Sequence, residues 1–410
     1  MCFHFPIEEK RRFWVKQNQL PGAAPKYYSW GEPGPAPQGF FAQKQKLARS
    51  AESLLLAREA DRKILPRALF LCIINQHTNT MKTLRLLSAI CLTFLLTQLS
   101  AHAQISVRAI IWDSTNGMQS IGSFGGDSYA SGINDSGQVT GWSYYADNTQ
   151  RAFIWTLAGG MVDLGSPGSS SVGNAINAAG NVVGSGTDLD NHLVAFYWTP
   201  ADGMVVIGRG QAYAINDRNE VTGQYSLADG SKHTFFWSPR MRAPQDLGTL
   251  SNGWDTIGLA INNLHHVAGF AYDDSGAGQT FVWNKSGGFH LFDNTANSIF
   301  AAAYGISDRD EIVGYTFANG THYVGIYVRP NGRTFLLPGL GGPDTNALAI
   351  NEVGQIAGYA TTPILNSHAT LWTAPTSAAQ DLGSLNNNSN LSSTATGINN
   401  LGQVVGWSQD

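Results

Sequence analysis

Cysteine and charge are both scarce in this chain of 410 residues. Its three cysteines, Cys2, Cys72 and Cys91, all precede residue 104, so the remainder holds no thiol for a disulfide or for a two-cysteine metal motif. Asp, Glu, Lys and Arg make up only 13% of the residues, whereas glycine occurs 46 times. Such a chain has to be stabilised by packing, and its glycines favour many short strands joined by tight turns.

Basic residues are especially scarce beyond residue 103. Of the 25 basic and 29 acidic residues, 14 and 6 lie in residues 1–103, which leaves 11 and 23 for residues 104–410, a net charge of −12 there. A nucleic acid or an anionic membrane surface requires a basic face, so we expect neither as a partner. No nucleotide-binding glycine loop and no Gly-x-Ser-x-Gly motif occurs, and we expect no cofactor.

Residues 81–103 have the parts of a secretory signal peptide. Two basic residues precede an apolar run over 86–99, and Ala101 and Ala103 are the small residues that a signal peptidase reads. The run is shorter than the roughly 20 residues that a membrane span requires. We predict cleavage after Ala103 and a secreted protein, with the periplasm or the cell surface as alternatives, and no membrane span in the mature chain.

Residues 1–80 differ in character from the rest of the chain. They show no repeat, a Pro/Gly-rich patch at 31–39 and a basic stretch at 43–64. Because a signal peptide begins a protein, we interpret Met81 as the true start and residues 1–80 as a mis-assigned extension. The alternative is a cytoplasmic extension, which would make the apolar run a signal anchor.

A ten-residue phrase organises residues 104–410. It reads AINAAGNVVG at 175–184 and occurs seven times, and the residue after its Ile is Asn134, Asn177, Asn216, Asn262, Ser307, Asn351 and Asn399. The copies lie 39 to 48 residues apart, a period typical of propeller and solenoid repeats.

Each copy predicts four short strands. In one copy, apolar segments at 174–177, 181–185, 194–199 and 204–207 are separated by turn residues. Three residues after the repeated Asn comes Gly, Asn, His or Asp, the residue types that tolerate a positive φ. We therefore interpret His265 and Asp310 as turn formers rather than as metal ligands or acids. His266 follows on a strand, where adjacent side chains face opposite sides, so the two histidines cannot readily share one metal.

The third strand carries one large aromatic residue in each copy: Trp112, Trp155, Trp198, Trp237, Trp283, Tyr327 and Trp372. A position shared by all copies favours a buried layer that packs adjacent sheets together. Exposed rings that stack on sugars are the alternative. The fourth strand often ends in Asp-Leu-Gly, which indicates a structural turn rather than an active site.

The two ends of the repeat region read as halves of one sheet. Residues 107–112 and 117–121 match a third and a fourth strand, and residues 395–398 and 403–407 match a first and a second. Six complete sheets and a shared seventh predict an all-β, seven-bladed β-propeller of four-stranded antiparallel blades. A linear β-solenoid-like array is the alternative.

The repeated phrase, the third strands Arg151–Trp155 and His368–Trp372, and Asp-Leu-Gly together resemble the bacterial HAF-repeat family over about residues 107–410. Most copies depart from the His-Ala-Phe signature itself. The resemblance implies an exported, extracellular repeat protein. It implies no reaction and no catalytic residue.

Binding residues are expected in the loops that do not repeat. The longest are 165–172, 250–256, 292–299 and 383–394, all on the face formed by second-to-third turns and blade-to-blade links. Trp254 is the candidate ligand-stacking residue. Asp188, Asp190 and Asn191 offer the alternating oxygen ligands of a calcium loop but lack its Gly and Glu, so a hairpin turn is the favoured interpretation.

Two functions fit this sequence. The favoured one is a monomeric, non-catalytic scaffold that binds an extracellular glycan, surface polymer or protein. The alternative is a polysaccharide lyase or hydrolase with acid and base residues around the central channel. No residue pattern identifies a catalytic group.

Overall fold

The computed structural model describes residues 105–227, 230–250, 255–272, 278–292, 301–318 and 322–410. Residues 105–410 form one compact unit. The predicted signal peptide, the segment before it and Trp254 lie outside the described residues.

The described residues form 28 strands in seven four-stranded sheets, here called blades. Blade 7 contains β1 (Val107–Asp113) and β2 (Gly117–Ser120), and blade 1 contains β3 (Gly125–Ile133), β4 (Val139–Tyr145), β5 (Gln150–Thr156) and β6 (Gly160–Asp163). Blade 2 contains β7 (Gly168–Ile176), β8 (Val182–Asp188), β9 (Leu193–Thr199) and β10 (Gly203–Arg209), and blade 3 contains β11 (Gln211–Ile215), β12 (Val221–Ser226), β13 (Lys232–Trp237) and β14 (Gln245–Asp246).

Blade 4 contains β15 (Thr256–Ile261), β16 (Val267–Tyr272), β17 (Gly278–Asn284) and β18 (Gly288–Leu291). Blade 5 contains β19 (Ala301–Ile306), β20 (Ile312–Ala318), β21 (His322–Val328) and β22 (Thr334–Leu336). Blade 6 contains β23 (Thr345–Ile350), β24 (Ile356–Thr361), β25 (Ser367–Trp372) and β26 (Gln380–Asp381), and β27 (Ser393–Ile398) and β28 (Val404–Gln409) complete blade 7.

The ring closes through blade 7, whose strand order is β2-β1-β28-β27. Strand β1 pairs antiparallel with β28 from Val107 opposite Gln409 to Trp112 opposite Val404. The first strands of the chain thus form the outer half of this blade and the last strands the inner half. The predicted seven-bladed β-propeller with a shared blade is confirmed, and a linear solenoid is excluded.

The turn between the first two strands has the predicted backbone in every blade. The residue three after the repeated Asn has a φ between +58° and +85° in all seven copies: Gly137, Gly180, Asn219, His265, Asp310, Gly354 and Gly402. His265 and Asp310 therefore serve as turn residues, as the sequence predicts.

The glycine that ends the repeated phrase is required by a close approach of two strands. A Cβ atom added to Gly223 would overlap the carbonyl oxygen of Gln211 on the neighbouring inner strand, and the six equivalent glycines meet the same obstacle. The inner strand carries a β-bulge at this register in all seven blades, as between Ala212 and Ala214. Bulges bend a strand locally, which accounts for its approach to the glycine.

The third-strand tryptophans pack against the preceding blade. Trp372 is fully buried among Val313, Tyr327 and Leu337 of blade 5, and Trp112 packs on Ala357 and Leu371 of blade 6. Trp155, Trp198 and Trp283 are half-buried in equivalent clusters, and Trp237 is buried.

Blade 5 departs from the predicted aromatic position. Each of the six tryptophans lies opposite the first residue of the second strand, but Tyr327 lies opposite Val313, the second residue. Val328, opposite Ile312, occupies the equivalent position. The prediction of an aromatic residue at this register is wrong for Tyr327, because strand pairing and not residue type sets the register.

The inner strand of blade 2 is longer than predicted. We expected a loop at 165–172, but β7 begins at Gly168 and pairs with β8 from there. Ser171 is fully buried, and its hydroxyl accepts the N–H of Ala152 in blade 1 at 2.9 Å. Ser171 thus links this longer strand to the main chain of the neighbouring blade.

The Asp-Leu-Gly motif closes the outer edge of a blade. The carboxylates of Asp163, Asp246 and Asp381 each accept the N–H of the glycine two residues later at 2.7 Å. In two blades a histidine of the third strand also contacts this carboxylate, His233 with Asp246 and His368 with Asp381, both at 2.9 Å. The motif therefore has a structural role in the turn that leads to the next blade.

Helical structure is minimal in the part of the chain that the structure describes. It comprises one 3-10 turn at Leu385–Asn387, and no described helix is long and apolar enough to cross a membrane.

Ring closure predicts that the last two strands are essential for stability. A chain that ends at Ser392 lacks β27 and β28, so β1 loses its partner and blades 6 and 1 lose the blade between them. We expect this variant to lose cooperative thermal unfolding by circular dichroism, whereas a chain shortened only by Asp410 keeps it. An unchanged melting temperature in the chain that ends at Ser392 would refute this mode of closure.

Candidate functional site at the mouth of the central channel

The inner strands of the seven blades end together around the channel, where they form a funnel of about 460 Å³. The first of its three tiers, counted along each strand toward the turn, is the Ile that precedes the repeated Asn: Ile133, Ile176, Ile215, Ile261, Ile306, Ile350 and Ile398. The repeated Asn forms the next tier. The residue after it forms the outermost tier, here called the rim: Asp135, Ala178, Asp217, Asn263, Asp308, Glu352 and Asn400.

The repeated Asn side chains form a belt of hydrogen bonds from blade to blade. Each Nδ2 donates to the main-chain oxygen of the equivalent residue in the next blade; Asn134, for example, donates to Asn177 at 3.0 Å. Five further links, from Asn177, Asn216, Asn262, Asn351 and Asn399, span 2.9 to 3.1 Å. The link from Asn399 to Asn134 joins the end of the repeat region to its beginning.

The belt has one gap, which lies at Ser307. Serine has no amide N–H, and its hydroxyl instead donates to Glu311 of the same turn at 3.2 Å. No side chain of the described residues at this tier links blade 5 to the carbonyl of Asn351 in blade 6.

The rim forms a second set of links between blades. In six of the seven blades the N–H of the rim residue donates to the side-chain oxygen of the next rim residue, as from Asp217 to Asn263 at 2.9 Å and from Asn263 to Asp308 at 2.7 Å. The remaining links run from Ala178 to Asp217, Asp308 to Glu352, Glu352 to Asn400 and Asn400 to Asp135. Ala178 has no side-chain acceptor, so Asp135 makes no such bond to it. The two gaps fall at different interfaces, and every interface keeps at least one link.

Glu352 is the rim carboxyl with the most perturbed environment. It is half-buried, its carboxylate accepts the N–H of Asp308 at 3.0 Å, and its own N–H donates to Asn400 at 2.8 Å. Burial raises the pKa of Glu352 above its ordinary value of 4.5, and the charge of Asp308 raises it further, although the hydrogen bond from Asp308 opposes this. Glu352 is therefore the rim group best placed to hold a proton.

His265 and His266 contact different blades, although His266 precedes β16 rather than lying on the strand as expected. The Nδ1 atom of His265 lies 2.7 Å from Glu220 in blade 3, and that of His266 lies 2.7 Å from Asp310 in blade 5. Each imidazole thus bridges two blades instead of joining the other at one metal.

The predicted calcium-like residues form a turn in blade 2. The carboxylate of Asp188 accepts the N–H groups of Asp190 and His192, and Asn191 adopts a φ of +62°. His192 rather than Asn191 completes the potential ligand set, because ligand atoms of Asp188, Asp190 and His192 lie within 4.8 Å of one another. The hydrogen bonds are those of a hairpin turn, which is the interpretation that the sequence favours.

The non-repeating loops are only partly described. Loops 250–256 and 292–299, with Trp254, fall largely outside the described residues. In loop 383–394, Leu385 is buried and Asn386 donates to the carboxylate of Asp410. This loop packs on the last residue of the chain.

The sequence signal for the rim was present but unused. The position after the repeated Asn carries a carboxylate in four of seven copies, and all three glutamates beyond residue 103, Glu220, Glu311 and Glu352, lie in these turns. A second unused signal is the hydroxyl six residues before the repeated Asn, as at Ser128, Ser171, Thr256, Thr345 and Ser393. Each accepts an N–H from the third strand of the preceding blade at 2.7 to 2.9 Å.

Comparisons with known proteins find likeness in structure only. No protein-family model and no curated protein matches the chain. TolB from Acinetobacter baumannii is similar with a TM-score of 0.42 and 10% identity over 56% of this chain, which spans 62% of that one. The BP39L lectin from Burkholderia pseudomallei has a TM-score of 0.41 and 12% identity, over 68% of this chain and 94% of that one. A prolyl endopeptidase has a TM-score of 0.47 and 12% identity, over 67% of this chain and 46% of that one. Identities this low concern the fold alone.

The gap in the belt predicts opposite effects for two matched substitutions. Ser307→Asn supplies an amide that can donate to Asn351, so we expect the free energy of unfolding to rise by about 0.5–1.5 kcal/mol. Asn351→Ser copies the gap into the next blade and removes the amide bond to the carbonyl of Asn399, which keeps only the N–H of Gly402 as a donor, so we expect a loss of about 0.5–1.5 kcal/mol. Urea denaturation measures both. Equal effects of the two substitutions would contradict the belt.

Glu352 predicts a pH dependence of stability. Because its pKa is raised in the folded protein, the folded state binds more protons than the unfolded chain just above pH 4.5, and this group destabilises the fold as the pH rises through that window. Glu352→Gln keeps an acceptor for Asp308 and should be more stable than the wild type at pH 7, with the difference narrowing as the pH is lowered toward 4.5.

Glu311 provides a control of opposite sign for the same urea titrations. Burial acts to raise its pKa, but hydrogen bonds from Tyr327, Arg309 and Ser307 outweigh burial and hold the pKa below 4.5. Glu311→Gln should therefore be less stable than the wild type at pH 7, with the deficit shrinking in acid. Stability curves that run parallel to the wild type for both variants would contradict these assignments.

Proposed function

We propose that the protein is an exported, non-catalytic scaffold of the HAF-repeat type that binds an extracellular glycan, surface polymer or protein. The observation that carries this proposal is the funnel at the channel mouth, whose rim differs from blade to blade whereas the tiers beneath it are nearly uniform. The residues common to all copies are used to hold the ring together. Variation on a rigid frame is the usual arrangement of a binding surface.

The chemistry of the rim favours a ligand rich in hydrogen-bond donors. Its four carboxylates each accept a main-chain N–H, yet every carboxylate oxygen can accept more than one bond. The hydroxyl groups of a glycan, or a basic side chain of a protein, would complement them. The volume of about 460 Å³ lies within the usual range of small-molecule sites, roughly 300–1,000 Å³.

A glycan array with two matched variants tests this proposal. Asp135→Asn together with Asp217→Asn removes two rim charges and keeps an acceptor oxygen at each position, so we expect at least a tenfold loss of affinity for any glycan that the wild type binds. Asp147→Asn, which changes an exposed carboxylate in the β4–β5 turn, is the control and should bind as the wild type does. Binding that survives the double substitution would place the ligand elsewhere, and melting temperatures verify folding.

One observation favours the enzymatic alternative. Glu352, whose pKa is raised, accepts the N–H of Asp308 at the channel mouth, and two neighbouring carboxyl groups are what a general acid and a general base require. Release of reducing or unsaturated ends from a polysaccharide, abolished by Glu352→Gln, would establish a hydrolase or lyase. Unchanged release in that variant would exclude this pair.

A further inference from the structure

A second cavity on the same face as the funnel concentrates positive charge in an otherwise acidic domain. It has a volume of about 510 Å³ and lies between the β11–β12 turn and the β13–β14 loop of blade 3 and the β15–β16 turn of blade 4. Arg218, Glu220, Arg240 and His265 are among its lining residues. We name it the blade 3 pocket.

The two arginines of the blade 3 pocket are uncommitted. Residues 104–410 contain only 11 basic residues against 23 acidic ones. Arg218 and Arg240 are exposed, and neither guanidinium group makes a hydrogen bond or an ion pair with any residue that the structure describes.

A comparison with blade 5 explains why Arg218 is uncommitted. Arg309 occupies the same place in its turn, and its guanidinium donates to Glu311, two residues later, at 2.8 and 3.1 Å. Blade 3 has the same Arg-x-Glu spacing. There, however, the carboxylate of Glu220 accepts a hydrogen bond from the side-chain amide of Asn216 at 2.6 Å and lies 2.7 Å from Nδ1 of His265 in blade 4. Because both contacts already engage this carboxylate, Arg218 has no partner within its turn.

The same contact reduces the negative charge in the blade 3 pocket. Glu220 is the one carboxylate among the described residues that line the pocket, and its side chain is only 13% exposed beside His265. Two guanidinium groups thus face the cavity opposite a carboxylate that is already hydrogen-bonded. A guanidinium presents planar pairs of N–H donors that match the oxygens of a carboxylate, sulfate or phosphate.

We propose that the blade 3 pocket binds an oxyanion group of a ligand, with Arg218 and Arg240 as the donors. This site shares no lining residue with the funnel, so a test of the blade 3 pocket is independent of ligand binding at the rim. An acidic polysaccharide with uronate groups is the ligand class that suits a predicted extracellular protein. Titration with inorganic sulfate and inorganic phosphate tests whether the pocket prefers another oxyanion to a carboxylate.

Isothermal titration calorimetry of the purified full chain tests the proposal with trigalacturonate, its uncharged methyl ester, inorganic sulfate and inorganic phosphate. We expect trigalacturonate to bind, its methyl ester to bind at least tenfold more weakly, and the affinity for trigalacturonate to fall at least tenfold in Arg218→Gln/Arg240→Gln. Arg242→Gln removes an exposed charge from the same loop outside the pocket and should change the affinity less than threefold. Binding of sulfate or phosphate alone would assign the pocket to those anions and overturn the uronate as its ligand.

Two further results would overturn the site itself. Absence of binding by all the anions would do so, and so would an equal loss of affinity in Arg242→Gln, which would indicate diffuse attraction. Arg218→Lys/Arg240→Lys keeps the charge but not the planar donor pairs, so it should lose affinity relative to the wild type while exceeding the glutamine variant. Full affinity in the lysine variant would contradict recognition by guanidinium geometry.

Discussion

No ladder of main-chain hydrogen bonds joins neighbouring blades among the described strands, so the ring depends on side chains that bind the main chain of the next blade. The amide of the repeated Asn is the clearest example. It donates a second hydrogen bond to a carbonyl that already accepts the N–H three residues later in its own turn. A carbonyl oxygen has two lone pairs, so the turn and the link between blades can use the same atom. This use explains why the Asn recurs in six of seven copies, and the hydroxyl six residues earlier likewise bonds the preceding blade.

The same constraint explains where the repeat is allowed to vary. The fourth residue after the repeated Asn reaches the positive-φ residue of the next blade, and three consecutive interfaces carry matched pairs there. Asn181 donates to Asn219, Glu220 contacts His265, and His266 contacts Asp310. Where the positive-φ residue is Gly180 or Gly402, a glutamine of the preceding blade lies close instead. Side chains at positive φ are thus accepted together with a partner one blade away.

The sequence predicted features that each repeat determines by itself and missed those that need a partner in space. The turn conformation, the closing half-blades and the turn role of His265 follow from residue types at fixed offsets. The position of Tyr327 does not, because a shift of one residue in strand pairing changes which side chain is equivalent. The rim was missed for a similar reason: Asp308 and Glu352 are 44 residues apart and meet only in the closed ring. Ligand binding by Trp254 and its loop stays a prediction.

We expect function in such a ring at side chains that are not needed for the hydrogen bonds within a blade or between blades. Arg309 and Arg218 have the same spacing to a glutamate, and the same local sequence rule would pair both. In blade 5 the equivalent residue of the next blade is Gly354, which has no side chain to contact Glu311, so Arg309 donates to that carboxylate. In blade 3 the equivalent residue of the next blade is His265, whose imidazole contacts Glu220 and leaves Arg218 free for a ligand. A residue one blade away, and not the arginine itself, therefore decides whether the arginine stabilises a turn or faces solvent.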